Sequence, residues 1–507
     1  MDHQIGNLGA IFAPHAAAQR AAIIDLSDEN APIEVSYGAL DDACDAVARS
    51  LMARGIGVGD RIGILGLNRH EFVTVMFGAM RAGIVPVPIN IKLPPAGVET
   101  VARDAGVKLM FCAGPERDLC PGGVPVVDFD DKGADGYAAF LDSGPFEAHQ
   151  PDETGVAFMV YTSGSTGRPK GVLLSHKAHI WVSQSLARNR KIQSGDSLLV
   201  AAPLYHKNAM NIIKSGLCAG ATLVLMPKFD ARAYIRAAAR YRVKALSGVP
   251  TMYALMLQEE ALLAESDLSA VKLMTLGSAP TSDALFDALS TTFPQAEVRL
   301  SFGITESSPV MFGPHPDGVT APRNSIGWAL PDTEIRLEGG DSQGQSGAPD
   351  QGVLHVRTPG MMLGYHNMPE ETARRLKDGW FDTGDILRRD QDGWYFFVGR
   401  VDDMFVSGGN NIYPGEVESV LERHPDIFQA IVVAAPHTLK DQVPYAFVVP
   451  RPDAALTEDI VKQHTLAHLP PSHHPRRVLF LDALPLAGTN KIDRRALETM
   501  AKEEANT

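Results

Sequence analysis

The chain of 507 residues has little of several features that define other protein classes. Its four cysteines match no zinc-binding spacing and are too few for a disulfide framework, which favours a reducing compartment. A net charge of −14 argues against nucleic acid as a main partner, although a local basic pocket for a nucleotide stays open. No apolar run reaches the roughly 18 residues that span a bilayer, and the first residues, MDHQIGNLGAIFAPH, do not resemble a secretory signal. We therefore expect a cytoplasmic protein without an integral membrane segment, which leaves peripheral membrane contact open.

Short apolar runs alternate with helical patterns along the first 400 residues. RIGILGL, IVPVPI, DSLLVAAPL and ATLVLMP are typical of buried strands, and EFVTVMFGAMRAG is typical of a helix between two of them. This alternation predicts an α/β fold in which helices cover parallel sheets. After Arg400 the pattern changes to a compact α+β unit large enough to fold as a domain. We expect domains at 1–400 and 401–507, and an exposed loop at 337–352.

The stretch YTSGSTGRPKG, at 161–171, follows an apolar run and ends in a cation, Lys170. Glycines let several backbone N–H groups turn toward one anion, and the neighbouring hydroxyls add donors, which together suit a polyphosphate. The spacing does not fit a Walker loop, because Pro169 stands where the second glycine is required. It does not fit a hydrolase elbow either, because Ser163 replaces the first glycine. By composition alone, a linker and a phosphate-binding loop both remain open.

Four further stretches follow in the chain: SFGITES at 301–307, FDTGD at 381–385, GRVDDMFVSGGNNIYPGEVE at 399–418 and PLAGTNKIDRR at 485–495. With YTSGSTGRPKG, and in this order, they resemble the motifs of the adenylate-forming superfamily. That superfamily includes acyl-CoA synthetases, peptide-synthetase adenylation domains and firefly-type luciferases. In character the chain is most similar to acyl- or aryl-CoA ligases.

The resemblance implies a large N-terminal α/β domain with helix-covered, mainly parallel sheets and a small β-subdomain, followed by a mobile α+β C-terminal domain. It implies that a carboxylate attacks the α-phosphate of ATP, giving an acyl-adenylate and pyrophosphate. The thiol of coenzyme A then forms the thioester and releases AMP. ATP, Mg²⁺ and coenzyme A are thus expected, with a small-molecule carboxylic acid and a homodimer as expected partners. A carrier-protein thiol as acceptor stays open, as does a catalytically silent sensor of acyl or nucleotide ligands.

The resemblance also assigns roles to individual residues. Lys491 bridges the substrate carboxylate and the α-phosphate, which suits a compact charge on a flexible stem. Glu306 holds Mg²⁺, and Thr305 contacts the phosphate. Lys170 steadies the leaving pyrophosphate. The residues expected to bind ATP or AMP are Thr162, Ser163, Gly164, Ser165, Thr166, Gly167, Lys170, Gly277, Ser278, Ala279, Pro280, Ser301, Phe302, Gly303, Asp385 and Arg400.

The resemblance also implies that Asp402 occupies a hinge about which the C-terminal domain rotates between the two half-reactions. One orientation delivers Lys491, and the other presents Ser407, Gly408 and Gly409 along the pantetheine passage. His206 stands where acyl- and aryl-CoA synthetases have a histidine bordering the acyl pocket, and amino-acid-activating relatives have an aspartate there. The expected acyl pocket consists of His206, Met210, Asn211, Gly248, Val249, Thr251, Ile304 and Met311. Lys207, Asn208 and Lys214 are candidates to contact polar substituents or the CoA phosphates, and the sequence leaves open which of them point inward.

Overall fold

In the computed structural model, the described residues are 6–12, 18–163, 169–277, 281, 283–339, 350–451, 454–485 and 492–505. Up to Phe140 they form strands β1–β6 and helices α1–α4, with two short 3₁₀ helices at Leu8–Ala10 and Gly114–Leu119. The strands are Ala21–Asp25, Ile33–Ser36, Arg61–Leu65, Val85–Pro88, Val107–Cys112 and Val126–Asp128. The helices are Tyr37–Ala53, His70–Arg81, Pro95–Ala105 and Tyr137–Phe140.

The next part of the chain, up to Ser301, contains strands β7–β13 and helices α5–α10. The strands are Val156–Ser163, Pro169–Ser175, Ser197–Val200, Thr222–Leu225, Ala245–Gly248, Leu273–Gly277 and Glu297–Ser301. The helices are His176–Asn189, Lys207–Ala219, Ala231–Arg240, Pro250–Leu257, Glu260–Glu265 and Asp283–Thr292.

Strands β14–β21 and the short helix α11, Pro369–Arg375, occupy the part that ends at Arg400. The strands are Phe312–Gly313, Ser325–Ala329, Glu334–Glu338, Asp350–Arg357, Gly364–Tyr365, Leu376–Lys377, Trp380–Arg389 and Tyr395–Arg400. The remaining strands, β22–β26, are Phe405–Ser407, Asn410–Ile412, Ile427–His437, Asp441–Pro450 and Arg477–Phe480. They alternate with helices α12–α14, which are Pro414–Leu421, Glu458–His468 and Arg494–Ala505.

Two sheets have the predicted parallel arrangement. One has the order β13-β12-β11-β9-β10-β1-β2, parallel except at the β2 edge, and the other, β4-β3-β5-β6, is parallel throughout. Their strands are almost continuously apolar because helices cover both faces. In the first sheet, Gly248, Gly277 and Ser301 end neighbouring strands at the carboxyl edge, where α/β proteins commonly bind ligands.

The other sheets are built from antiparallel pairs, with one parallel edge. Strands β14 to β21, apart from β18, form the predicted β-subdomain. Strands β22 to β26 form a separate five-stranded sheet, and its two apolar core clusters contain only residues from Phe405 onward. The predicted α/β class and the α+β texture of the last hundred residues are therefore confirmed.

Both ends of the glycine-rich stretch 161–171 belong to strands, although its sequence predicts a loop. Strand β7 continues through Ser163, and β8 begins at Pro169 and pairs with it antiparallel, with β18 on the other side of β8. A strand rather than a helix therefore follows the glycines, which separates this motif from strand–loop–helix phosphate sites. The residues 164–168 lie outside the described ones, as does most of the predicted loop at 337–352.

Candidate active site

Lys170 is held at the end of the β7–β8 hairpin. Its backbone pairs with Thr162, and the side chain of Lys170 is almost fully buried. The ammonium lies 2.5 Å from Glu371 Oε1 and 5.3 Å from the centre of the Tyr365 ring. Together with Arg374, Lys170 lowers the pKa of Glu371 to about 2, so this carboxylate stays ionised. Lys170 is thus positioned beside the glycine-rich stretch with its ammonium paired to Glu371, and its phosphate contact stays a prediction.

Glu306 lies in the same network. Its Oε1 accepts a hydrogen bond of 2.8 Å from the hydroxyl of Tyr365, and its carbonyl accepts one from the backbone of Met362. Burial, and next the charge of Glu306, raise the pKa of Tyr365, so the phenol keeps its proton and donates. Tyr365 therefore contacts both Glu306 and Lys170, which come from distant segments of the chain. The sequence analysis missed Tyr365, because a Gly-Tyr pair outside the five motifs carries no distinctive signal.

The stretch 301–307 turns sharply between β13 and β14. Ile304 and Ser308 form an isolated bridge, and Ser308 has a left-handed backbone with φ of 72°. A Cβ on Gly303 would lie 2.4 Å from the Cα of Pro309, so only glycine fits there. The carbonyl oxygen of Thr305 accepts a hydrogen bond from the ammonium of Lys207. The turn thus carries Thr305 and Glu306 at the carboxyl edge of the sheet.

Asp385 and Arg400 form an ion pair on adjacent strands. They are register partners in β20 and β21, and Arg400 Nη1 lies 2.8 Å from Asp385 Oδ1. The side chain of Asp385 is buried, and this raises its pKa to about 6 although Arg400 acts in the opposite direction. Glu306 is among the charges that raise this pKa, which places Asp385 in the same electrostatic neighbourhood as the Glu306 carboxylate.

Phe302 lies between aromatic rings. The centre of its ring is 5.9 Å from that of Phe312 and 6.0 Å from that of Phe397. Gly277 pairs with Ser301 on the neighbouring strand, and a Cβ on Gly277 would lie 2.9 Å from the Ser301 carbonyl oxygen. This corner therefore holds an aromatic cluster beside two closely packed strand ends, and the adenine role of Phe302 and Gly277 stays a prediction. The predicted adenine-side residues Ser278, Ala279 and Pro280 lie outside the described residues.

The predicted acyl-pocket residues come from three places. His206 is the residue before helix α6, with its ring 4.6 Å from that of Tyr205, and Met210 and Asn211 follow in the first turns of that helix. Gly248 ends β11, and Val249 and Thr251 lie at the start of α8. Ile304 and Met311 follow β13 along the chain, and Met311 is fully buried with Ser307 Oγ 3.2 Å from its sulfur.

Both lysines whose direction the sequence left open are buried. Lys207 contacts Thr305, and Lys214 has no exposed surface, whereas Asn208 is partly exposed. Burial lowers the pKa of Lys207 to about 7, with Glu306 acting in the opposite direction. The polar face of α6 is therefore directed into the protein beside the acyl-pocket residues.

The residues predicted for the second half-reaction lie in the last sheet and just before it. Asp402 is exposed in a turn between β21 and β22. Ser407 is buried at the end of β22, and Gly408 and Gly409 have φ of 55° and 83°, a backbone that favours glycine. Lys491 lies outside the described residues.

The described chain next to Lys491 is anchored by a charged pair. Arg494, at the start of α14, forms hydrogen bonds of 2.7 and 2.8 Å with the two carboxylate oxygens of Glu418 and a third with the Val432 carbonyl. Glu418 is buried and also accepts from the Val432 N–H. This ion pair, in which Nη2 contacts both carboxylate oxygens, fixes the start of α14 against α12 and β24.

Comparison with known proteins shows the family of this chain. The family model described as AMP-binding enzyme matches residues 13–366, and the model of the AMP-binding enzyme C-terminal domain matches residues 416–491. The chain belongs to the family of AMP-binding enzymes. The predicted adenylate-forming superfamily and the predicted class of AMP-forming acid–thiol ligases are thereby confirmed.

Individual members of the family cover nearly the whole chain. It is 31% identical to a feruloyl-CoA synthase of Amycolatopsis sp., over 95% of each sequence. It is 30% identical to the fatty acid–[acyl-carrier-protein] ligase ScoC of Streptomyces coeruleorubidus, over 91% of each. The crystal structure of ATP-bound MatB from Rhodopseudomonas palustris matches 99% of each chain with a TM-score of 0.90 and 28% identity. Among the described residues, no helix is both long enough and apolar enough to cross a membrane.

Proposed function

We propose that this AMP-binding enzyme is an ATP-dependent carboxylic acid–CoA ligase that performs adenylation and thioester formation at one site. The observation that carries the proposal is the network around Tyr365, which joins Glu306 to Lys170. These two charged residues come from separate motifs, and both resemble residues that bind the phosphates of ATP. Glu306, after β13, and Lys170, in β8, are brought together from two different sheets, and this assembly supports a polyphosphate site.

In the first half-reaction, a carboxylate oxygen of the acid attacks the α-phosphorus of ATP, and the bond to the bridging oxygen of pyrophosphate breaks. The two reactants are anions, and unit charges 4 Å apart repel by roughly 4 kcal/mol at an effective dielectric of 20. Cations must therefore stand where the negative charges approach and develop. We propose that Lys491 contacts the reacting phosphate and carboxylate, and that Lys170 contacts the leaving pyrophosphate.

Magnesium fits the donor set around Glu306. The ion is commonly held by one or two carboxylates together with phosphate oxygens and water, so a single glutamate suffices. Tyr365 orients this carboxylate through one oxygen and leaves the other free of that bond. Bound Mg²⁺ would supply charge neutralisation at the phosphates.

The nucleoside is assigned to the corner formed by Phe302, Asp385 and Arg400. Phe302 would offer its ring to adenine, and its aromatic neighbours Phe312 and Phe397 would hold that ring in place. Asp385 would accept hydrogen bonds from the ribose hydroxyls once it is ionised. Arg400, its partner, holds this carboxylate in place.

In the second half-reaction, the sulfur of the acceptor thiol attacks the acyl carbonyl carbon, and the bond to the AMP oxygen breaks. We propose domains at 1–400 and 401–507 that change orientation about Asp402 between the two steps. The separate apolar core from Phe405 onward supports this boundary. Ser407, Gly408 and Gly409 would then line the pantetheine passage.

The acid is assigned to the pocket beside His206. No aspartate stands at this position, which argues against an α-amino acid, whose ammonium group would need one. The acceptor is assigned as coenzyme A, as the name of the feruloyl-CoA synthase relative suggests. A carrier-protein thiol is the second candidate, because ScoC is named as an acyl-carrier-protein ligase. A cytoplasmic location and a homodimer remain predictions.

ATP–pyrophosphate exchange with a panel of aryl, alicyclic, branched and fatty acids tests the adenylation step. We expect exchange with at least one acid. Adding coenzyme A, or a phosphopantetheinylated carrier protein, and weighing the products by mass spectrometry identifies the acceptor. Folded protein that gives no exchange with any acid would refute the enzyme assignment, and exchange without an acyl-CoA product would favour the carrier.

A further inference from the structure

The proposed acceptor, coenzyme A, carries a pyrophosphate and a 3′-phosphate that need cationic partners on the protein. The chain as a whole repels such an anion, because its net charge is −14. Lys207 and Lys214, which the sequence offered for this role, are buried and contact groups inside the protein. The phosphates therefore need other cations, close to the segment 407–409 that we propose for the pantetheine passage.

Lys440 stands beside this segment, in the turn between β24 and β25. The backbone N–H of Gly408 donates to the Lys440 carbonyl at 3.4 Å. A Cβ placed on Gly408 would lie 3.6 to 3.8 Å from three methylene carbons of the Lys440 side chain. The turn itself is fixed, because the ring of His437 accepts hydrogen bonds from the backbone N–H groups of Leu439 and Lys440. The side chain of Lys440 thus runs along the proposed passage.

Arg476 stands on the same edge of strand β25. Strand β22 meets this edge at Asp441 and β26 follows it from Tyr445, because β24 occupies the other edge. The backbone N–H of Arg476, just before β26, donates to the Pro444 carbonyl at 2.7 Å. Four residues of extended chain separate Lys440 from Pro444, which corresponds to about 13 Å. Two long cationic side chains therefore start from one edge of the sheet.

Arg476 is oriented by a neutral partner, His474. Nδ1 of this ring lies 2.7 Å from the Pro471 carbonyl, and Nε2 lies 3.0 Å from Arg476 Nη1. The first contact assigns the ring proton to Nδ1, so Nε2 accepts from the guanidinium and leaves its charge in place. Burial lowers the pKa of His474, although the Pro471 carbonyl opposes this. The positive charges of Arg476, Lys462 and Lys440 lower it further, so these cations lie in one neighbourhood.

Lys440 and Arg476 are available to an anion. Among the residues that the structure describes, neither of them forms an ion pair with a carboxylate, whereas Lys462 pairs with Glu458 at 2.9 Å. Both side chains are partly exposed, so a ligand in solvent reaches them without entering the core. Because they belong to the same sheet as the segment 407–409, the proposed rotation would move them together with it.

We propose that Lys440 and Arg476 bind the phosphates of coenzyme A while its thiol passes along the segment 407–409, and so favour it over thiols without its nucleotide. This rests on the proposed function and specifies how the acceptor of its second step is recognised. A lysine binds phosphate as a point charge and an arginine as a planar fork, so the two suit separate phosphates.

The test compares coenzyme A with pantetheine, which has the same thiol arm and no phosphate. Thioester formation, with an acid that supports ATP–pyrophosphate exchange, gives kcat/KM for each thiol. We expect wild-type protein to prefer coenzyme A by about a hundredfold, because each of two charge-assisted contacts contributes about tenfold or more. Lys440→Met and Arg476→Met should each lower this preference by about tenfold, and the double variant should remove most of it.

Arg477→Met is the matched control, because Arg477 is next to Arg476 in the chain and pairs with Glu504 and Glu458. It should leave the preference unchanged. Loss of folded protein in any variant lowers the rates with both thiols and cancels in their ratio. Equal kcat/KM for the two thiols in the wild type, or an unaltered preference in either single variant, would overturn the inference and leave the ligase function intact.

Thioester formation with a phosphopantetheinylated carrier protein and not with coenzyme A would also overturn the inference, while adenylation would stand. Exchange with no acid at all would overturn the proposed function and the inference together.

Discussion

Tyr365 contacts two charged residues of the candidate site, and we expect its substitution to have a large effect on adenylation. Its hydroxyl fixes one oxygen of Glu306, and its ring faces Lys170, so one side chain orients both the carboxylate and the cation of the proposed phosphate site. Residues that position charged groups commonly affect the reaction through them.

We expect Tyr365→Phe to lower the adenylation rate by about tenfold, because Glu306 loses the hydrogen bond and the ring under Lys170 remains. The Mg²⁺ concentration for half-maximal exchange should rise. ATP–pyrophosphate exchange measured across a Mg²⁺ titration checks both effects. The control is Tyr241→Phe, which removes a buried hydroxyl that has no partner within the described residues. An unaltered Mg²⁺ requirement would count against the role of Tyr365.

The buried carboxylate of Asp385 lowers the stability of the folded protein at neutral pH, a cost that we attribute to its proposed role in ribose binding. Burial raises its pKa to about 6, so the folded protein binds this proton more tightly than the unfolded chain, where the pKa is about 3.8. The stability that comes from protonation is fully present below pH 3.8 and is lost as the pH rises through about 6.

We therefore expect Asp385→Asn to be more stable than the wild type at pH 7, by at most about 3 kcal/mol, and to lose nucleotide affinity. The difference in free energy of unfolding should shrink as the pH is lowered from 7 towards 4. Urea denaturation across this range measures it, with the exposed Asp392→Asn as the control. A stability difference that does not change with pH would contradict the assignment.

At the scale of elements, the start of helix α14 holds the chain next to Lys491. The ion pair of Arg494 with the buried Glu418 ties this helix to α12 and β24. Breaking a buried pair by removing one partner leaves an uncompensated charge, whereas removing both can be nearly neutral.

Arg494→Met should destabilise the part of the protein after Arg400 by about 3 kcal/mol and lower adenylation, because the segment with Lys491 loses its anchor. The double variant Arg494→Met with Glu418→Leu should recover most of the stability. Thermal unfolding and ATP–pyrophosphate exchange provide the two measurements. Arg477→Met, which removes surface ion pairs with Glu504 and Glu458, should cost less than about 1 kcal/mol. Equal effects of Arg494→Met and Arg477→Met would show that the buried pair does not anchor α14.

The elements themselves were largely predictable, and their pairing was not. The apolar runs around Ile62 and Leu223 predict buried strands, because helices cover both faces of a parallel sheet. The hairpin that carries Lys170 was missed, because its polar, glycine-rich sequence resembles a loop. The partners Tyr365 and Glu371 were missed for another reason: both approach the site only through tertiary folding, and neither stands in a distinctive local pattern.

At the scale of the whole molecule, the proposed two half-reactions need different arrangements of the same parts. Lys491 serves the first step in this scheme, and the segment at Ser407 to Gly409 serves the second. Variants that separate the two steps therefore test the domain rotation directly.

Lys491→Ala should strongly lower the rate of adenylation, because the reacting anions lose the cation proposed to lie between them. Thioester formation from a supplied acyl-adenylate should remain largely intact. The two steps are measured by ATP–pyrophosphate exchange and by acyl-CoA release, with the exposed Lys502→Ala as the control. Loss of the second step alone would reverse the assignment of Lys491.

Asp402→Pro should impair thioester formation more than adenylation, because proline restricts the backbone torsion at the proposed hinge. Asp402→Ala keeps that freedom and should retain both steps. The ratio of the two rates is the informative quantity, since it is independent of the amount of active protein. Equal losses in both steps would argue against a hinge at this residue.

The strand pairing of Asp385 with Arg400 has a consequence for the order of events in the cycle. Arg400 forms an ion pair with Asp385, the carboxylate that we assign to the ribose, and stands two residues before the proposed hinge. Under the proposed rotation, nucleotide occupancy and domain orientation are thermodynamically linked, and such a linkage acts equally in both directions. The orientation of the C-terminal part would then set how tightly AMP is retained, so product release and resetting of the enzyme would be one coupled event.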